Sequence, residues 1–357
     1  MHAKEHLQWL EENNLLETVK SNLECFKKVL KECLYVKNNE RILIITDRGY
    51  KDRRIAALVS GSYYLAAREL GLDATMIVQE PKFKGDSADE NVVTGLKELS
   101  YGNVLVLSLS GKLGSIREIS KSYRTFIKEN HQRFVSATNL GRLDQEDYPI
   151  LINTIDIDYD KLQETGRKIK DKLDQGKEVR IKTEAGTDLT INIEGKDAVL
   201  NTGEYRTPGI GGNIPSGEVY IPPKWKKVEG KIVIDGSSAY RGGTQLIKEP
   251  IILTVKKGEI VNIEGGAEAD NLIETLDWAC ERAKYPWGIR RIGELGIGIN
   301  PNAHIIGATS IDEKTLGTAH VGIGSNYWFG GTIYAIIHLD QIFKNPKIYI
   351  DGELLKI

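Results

Sequence analysis

The sequence predicts an α/β domain built on a parallel, doubly wound sheet, followed by an α+β domain that is mostly antiparallel. Three observations predict it. The chain has 357 residues, too many for one ordinary core. Its first 160 residues alternate short β-branched runs with helical periodicity. Beyond them the pattern changes to alternating strands joined by Asp-Gly and Lys-Lys-Gly turns. The expected domains are therefore 1–160 and 161–357.

The elements follow in order. Residues 3–36 place Leu16, Val19, Leu23, Phe26, Val29, Leu30 and Leu34 at helical spacing. "RILIITD" (41–47) has the continuous apolar run of a strand buried on both faces. "RRIAALVSGSYYLAAREL" is helical and stops at Gly71, and "DATMIVQE" is a second strand. "NVVTGLKEL" reads as helix, "GNVLVLSLS" as strand, "SIREISKSYRTFIKE" as helix and "RFVSATNLG" as strand. In the second half, "EVRIKTEAGTDLTINIEG" is a hairpin. "KIVIDGSSAY", "IILTVKKGEIVNIEGG" and "KIYIDGELLKI" give further strands, and one helix spans 268–285.

Composition narrows the function. A net charge of −2 offers no basic surface for nucleic acid. No apolar run of membrane-spanning length occurs, and the polar start "MHAKEHLQWLEENN" is unlike a signal peptide. Three cysteines without a C-x-x-C pair fit a reducing compartment, so a cytoplasmic location is expected. The first strand is followed by neither a phosphate-binding loop nor a dinucleotide fingerprint. Asp47, Arg48, Lys51 and Arg53 at its carboxyl end could instead meet an anion, or simply start a solvated helix. A non-enzymatic binding module therefore stays in view.

Chemistry concentrates in the second half. The chain has only six histidines, and two of them lie in "TAHVGIGSNYWFGGTIYAIIHLDQIF" (318–343). In an extended segment, His338 and Asp340 share one face, and an imidazole beside a carboxylate is a cation site. His320 precedes glycines that admit a ligand, and Tyr327 follows seven residues later. Glu294 sits in the apolar, glycine-rich run "RRIGELGIGINPNA", and Glu218 opens a strand after a Gly/Pro loop. Burying such carboxylates demands a cation or donor. "DEK" at 312–314 is either another source of carboxylate or a polar turn. The set suits one or two divalent ions such as Zn²⁺, Co²⁺ or Mn²⁺. Two ions roughly 3.5–4 Å apart would activate a bridging water for hydrolysis.

In order, "NIPSGEV", "GELGIGINP", "DEK…HVGIGSNY", "HLD" and "IYIDGEL" resemble the motifs of the thermophilic M29 metallo-aminopeptidases, in particular their leucyl aminopeptidase-like branch. The resemblance implies metal ligation by Glu218, Glu294, His320, His338 and Asp340. It implies catalytic roles for Tyr327 and Glu313, the latter at a spacing two residues longer than the family's. Glu313 or Glu204 would take the proton or dock the substrate amine. The implied activity is a cytoplasmic aminopeptidase, acting on peptides through a dinuclear centre and assembling as a homodimer or higher homo-oligomer. A ring-cleaving dihydroxypyridine dioxygenase resembles the same C-terminal fold. On that alternative, His320, His338 and Asp340 would hold one Fe(II) for a small-molecule substrate. The presence of Glu218 and Glu294 favours the hydrolase at this stage.

Overall fold

A computed structural model describes residues 3–357; the first two residues of the polar N-terminal segment lie outside it. The chain divides into two compact units. One comprises residues up to Tyr159 together with Gly203–Ser216, and the other Asp160–Thr202 together with Gly217–Ile357.

The first unit carries a five-stranded parallel sheet, in the spatial order 73–79, 41–47, 104–108, 133–137, 211–213. The central strands are buried on both faces, which explains their unbroken apolar runs. On one face, Leu43, Ile45, Leu105 and Leu107 pack with Val92 and Leu96 of the helix Glu90–Glu98 and with Phe126 of the helix Tyr123–Glu129. Two details depart from expectation. The helix expected over 115–129 begins only at Tyr123, because Ser122 accepts the Thr125 N–H and caps it there. The fifth strand, Gly211–Asn213, comes from the Gly/Pro-rich stretch that reads as a loop; three residues carry no periodicity.

The second unit holds two seven-stranded antiparallel sheets and the helix Ala267–Arg282. One sheet runs 259–264, 251–256, 228–234, 188–192, 178–182, 347–350, 353–354. The other runs 243–246, 237–240, 338–344, 318–324, 292–298, 218–221, 199–201. The Asp-Gly turn of "KIVIDGSSAY" joins two strands, Val228–Ile234 and Ser237–Tyr240, that belong to different sheets.

Register in the second of these sheets decides which side chains meet. Glu294, Gly322 and Asp340 stand opposite one another across three strands, and so do Tyr220, Gly296 and His320. Gly324 pairs with His338, and Gly298 with Glu218. Because side chains alternate along a strand, these rows share one face. The opposite face is core: Leu295, Ile297, Ala319, Val321, Ile323 and Phe343 are all buried. A slip of one residue would turn the whole polar set over, so this apolar face fixes the register.

Phe343 follows the His338–Asp340 pair on the same strand and is fully buried. Phe343→Ala is expected to cost about 3–5 kcal/mol in denaturant unfolding, through lost transfer energy plus the cavity left behind. A cost below about 1 kcal/mol would show that this strand is not anchored as described.

Candidate metal centre

Five ionisable side chains meet on the polar face of the 218–221, 292–298, 318–324 and 338–344 strands. Glu294 is the hub. Its Oε1 lies 3.3 Å from His320 Nε2 and its Oε2 3.3 Å from His338 Nε2. His338 Nε2 also lies 3.1 Å from Asp340 Oδ1. Glu218 Oε2 approaches His320 Nε2 to 3.7 Å. The sheet makes room for this crowd with glycine. A Cβ at position 296 would sit 2.1 Å from the His320 ring, and one at 322 would sit 2.8 Å from Glu294 Cβ and from the His338 ring. The glycines that look like flexibility in "GELGIGI" and "HVGIGS" are thus vacated space for imidazoles.

Glu313 and a buried lysine complete the cluster. Lys314 is fully buried and ion-paired to both Glu218 and Glu313, at 2.5 Å from Glu313 Oε1. Asn201 Nδ2 donates to the same Glu218 oxygen at 3.1 Å. Glu218 and Glu313 therefore already face a cation supplied by the chain.

Polar atoms left without partners show where another cation fits. His338 Nδ1 is 2.8 Å from the Ser325 carbonyl. Donating there, the ring turns its Nε2 lone pair toward Glu294 and Asp340, the orientation that second partners impose on metal-binding histidines. A lone pair aimed at carboxylate oxygens is repulsive unless a proton or a metal ion stands between them. Asp340 Oδ1 and His320 Nδ1 are buried and have no hydrogen-bond partner among the described residues, the 3.1 Å approach of His338 to Asp340 being misaligned for one. Within two sets, Glu294–His320–Asp340 and Glu218–Glu313–His320, one ligand atom per residue lies within 4.8 Å of the others. Two imidazoles and buried carboxylates form the mixed nitrogen–oxygen donor set that suits a divalent transition metal.

Protons as well as a metal ion can fill this role. Burial works against a charged His320, yet Glu294, Asp340 and Glu218 raise it to about 9. The same opposition ends with His338 well above its ordinary value, held there by Asp340 and Glu294. Burial would raise Glu294 and Asp340, but the imidazoles hold both below the usual carboxylate range. Glu313 goes the other way. Burial, with the Glu218 and Asp340 charges, raises it to about 8 against the pull of Lys314. Lys314 stays charged because its two acid partners outweigh desolvation.

Of the residues singled out in the sequence, Glu218, Glu294, Glu313, His320, His338 and Asp340 come together here. Tyr327 stands apart. It lies in a 3₁₀ turn, 58% exposed, its ring 4.4 Å from that of Tyr334, and among the described residues no hydrogen bond joins it to the cluster. Its neighbours reach closer: the Trp328 ring is 4.8 Å from His338 and edge-on to it, and Phe329 is 6.4 Å away. Glu204 belongs to the Gly203–Ser216 segment of the first unit. Sequence reasoning missed Lys314 as a participant. Its only signal was the "DEK" triplet, and a fully buried lysine is rare enough that a polar turn is the natural reading.

Comparisons with known proteins separate the two chemistries this donor set allows. The family model described as NicX: 2,5-dihydroxypyridine 5,6-dioxygenase matches residues 21–356. A 2,5-dihydroxypyridine 5,6-dioxygenase of Pseudomonas putida is 26% identical over 190 residues, 51% of this chain and 53% of that protein, so the matched stretch spans about half of the relative. The solved structure of the dioxygenase from Pseudomonas putida superposes with a TM-score of 0.73 at 18% identity, over 95% of this chain and 96% of that one. Wild-type AmpT from Thermus thermophilus also shares the fold, with a TM-score of 0.62 at 14% identity, over 94% of this chain and 100% of that one. The fold common to the aminopeptidases is thus present, but the peptidase expectation is overturned. The family match and the curated relative are dioxygenases, and a hydrolase, aminopeptidase or metalloprotease assignment does not stand. The reason the residues misled is physical: of the two carboxylates that suggested a second metal ion, Glu218 is paired with Lys314, and Glu294 lies between the two imidazoles. This chain belongs to the NicX family of 2,5-dihydroxypyridine 5,6-dioxygenases.

Proposed function

We propose that this protein is an Fe(II)-dependent ring-cleaving dioxygenase acting on a dihydroxylated pyridine or a closely similar ring. The observation that carries the reading is the convergence of His320, His338 and Asp340 on one buried face of a chain whose family match runs almost end to end. Two imidazoles and one carboxylate are the donor set of non-haem Fe(II) oxygenases. Glu294 lies between the two imidazoles and would either join that set or turn aside as the ion enters. Fe(II) held there by His320, His338 and Asp340 would supply the redox chemistry that breaks one ring carbon–carbon bond and adds one atom of dioxygen to each of its two carbons.

The protein's own residues do the rest. His338 is held in one tautomer by the Ser325 carbonyl, so its metal-facing nitrogen is set before the ion arrives. His320, Glu294 and Asp340 are almost wholly buried, which keeps bulk water from a reactive site. Glu313, raised to about 8, is the carboxyl best placed to take and return a hydroxyl proton of the ring near neutral pH. Trp328, 56% exposed beside His338, offers an aromatic surface to a flat substrate. Glu218 is paired with Lys314 and has a supporting rather than a ligating role. Tyr327 sits on the exposed rim and has no role in holding the metal.

Protein purified without oxygen and loaded with Fe(II) is expected to consume dioxygen and bleach the absorbance of 2,5-dihydroxypyridine. Asp340→Ala should lower that turnover by about 100-fold or more, since even groups that merely support a ligand are worth ~10–100-fold. Full turnover by this variant, or none by the Fe(II)-loaded parent on any dihydroxylated ring, contradicts the proposal.

Metal binding should also depend on pH in a definite direction. His320 carries a proton below about 9 in the metal-free chain and must lose it to bind a cation. Apparent affinity for Zn²⁺ should therefore rise as pH goes from 6 toward 9, by about tenfold per unit for each proton displaced. An affinity independent of pH over that range would remove His320 from the donor set.

A further inference from the structure

We propose that the Lys314 ammonium stands where a second divalent ion would otherwise bind, so that this centre loads one metal ion per chain. The inference rests on the metal-binding reading above. It concerns what limits the number of ions rather than which reaction follows.

The geometry has two lobes. Glu294, His320 and Asp340 offer one set of converging ligand atoms, and Glu218, Glu313 and His320 offer another. They overlap in His320, the sharing expected of adjoining cation sites. The second lobe already contains a cation. Lys314 Nζ lies within ion-pair distance of both acids of that lobe, Glu218 and Glu313. The side chain is fully buried, so its charge cannot be satisfied by water. Asn201 Nδ2 donates to the Glu218 oxygen that Lys314 also contacts, so that oxygen is already occupied, while the other faces His320 at 3.7 Å. Of the unpartnered atoms, Asp340 Oδ1 belongs to the first lobe alone, and His320 Nδ1 to the residue that both lobes share.

Glu218, Glu294, Glu313 and Asp340 bring four negative charges to the face when ionised, and Lys314 returns one positive. One divalent ion would leave a single negative charge over and two a single positive one, so it is the ammonium's place against Glu218 and Glu313, and not the charge total, that limits the count. A second ion would have to displace the ammonium or sit against it, among ligands it has already taken. Lys314 is therefore a positioning residue: it touches neither ring nor metal, and it decides which carboxylates remain free to do so.

The test is a metal count. Oxygen-free titration with Co²⁺, followed by its visible absorption and by metal analysis after desalting, should give one equivalent for the parent protein. Lys314→Met, which keeps length and burial but removes the charge, should take up two. Lys314→Arg, which keeps the charge, should return to one. Two equivalents in the parent, or one in a folded Lys314→Met protein, overturns the proposal. Should Lys314→Met fail to fold, Lys314→Gln, which also removes the charge, decides it: two equivalents support the proposal and one overturns it. Because the readout is stoichiometry, it is separate from the reaction. The expected counts with no ring opening by Fe(II)-loaded protein would defeat the dioxygenase reading and leave this one standing.

Discussion

Everything in the second unit's polar face depends on compensating buried negative charge. Four carboxylates, those of Glu218, Glu294, Glu313 and Asp340, lie on or beside one antiparallel sheet with almost no access to water. Each would be costly there alone. Lys314 answers two of them, and the imidazoles of His320 and His338 answer the others by holding protons or by sharing a metal ion. The rest of the architecture serves this arrangement. The apolar reverse face sets the register, the glycines at 296 and 322 clear space for the rings, and the Ser325 carbonyl orients His338.

The division between the two cation positions connects structure to chemistry. A centre with both lobes open to metal would present a bridging water and suit hydrolysis. On our proposal, closing one lobe with a lysine leaves a mononuclear nitrogen–oxygen site of the kind that handles dioxygen. The fold is shared with both AmpT and the dioxygenase of Pseudomonas putida, so topology alone does not fix the chemistry.

Much of the fold was legible because its signals are local. The parallel sheet announced itself through β-branched runs between helices, and the hairpins through Asp-Gly and Lys-Lys-Gly turns. Gly211–Asn213 was not legible, because a three-residue strand paired only at its edge leaves no periodic trace. The change of sheet between Ile234 and Ser237 was hidden for another reason: an Asp-Gly pair signals a turn but not where the next strand goes. In the site, His338 and Asp340 could be placed together from their spacing of two. That Glu294, His320 and Glu218 join them depends on cross-strand register, which a single sequence does not state. Lys314 was the costly omission. Its neighbours in sequence are polar, and only the folded chain turns it inward, against Glu313 and against Glu218, one of the two acids that had suggested a second metal ion.

Turnover under ¹⁸O₂ in unlabelled water tests the central claim most directly. The account predicts that the ring-opened product of Fe(II)-loaded protein carries both labelled oxygen atoms at early times. Product labelled instead from ¹⁸O-water under ordinary dioxygen would contradict it, because that outcome belongs to hydrolysis.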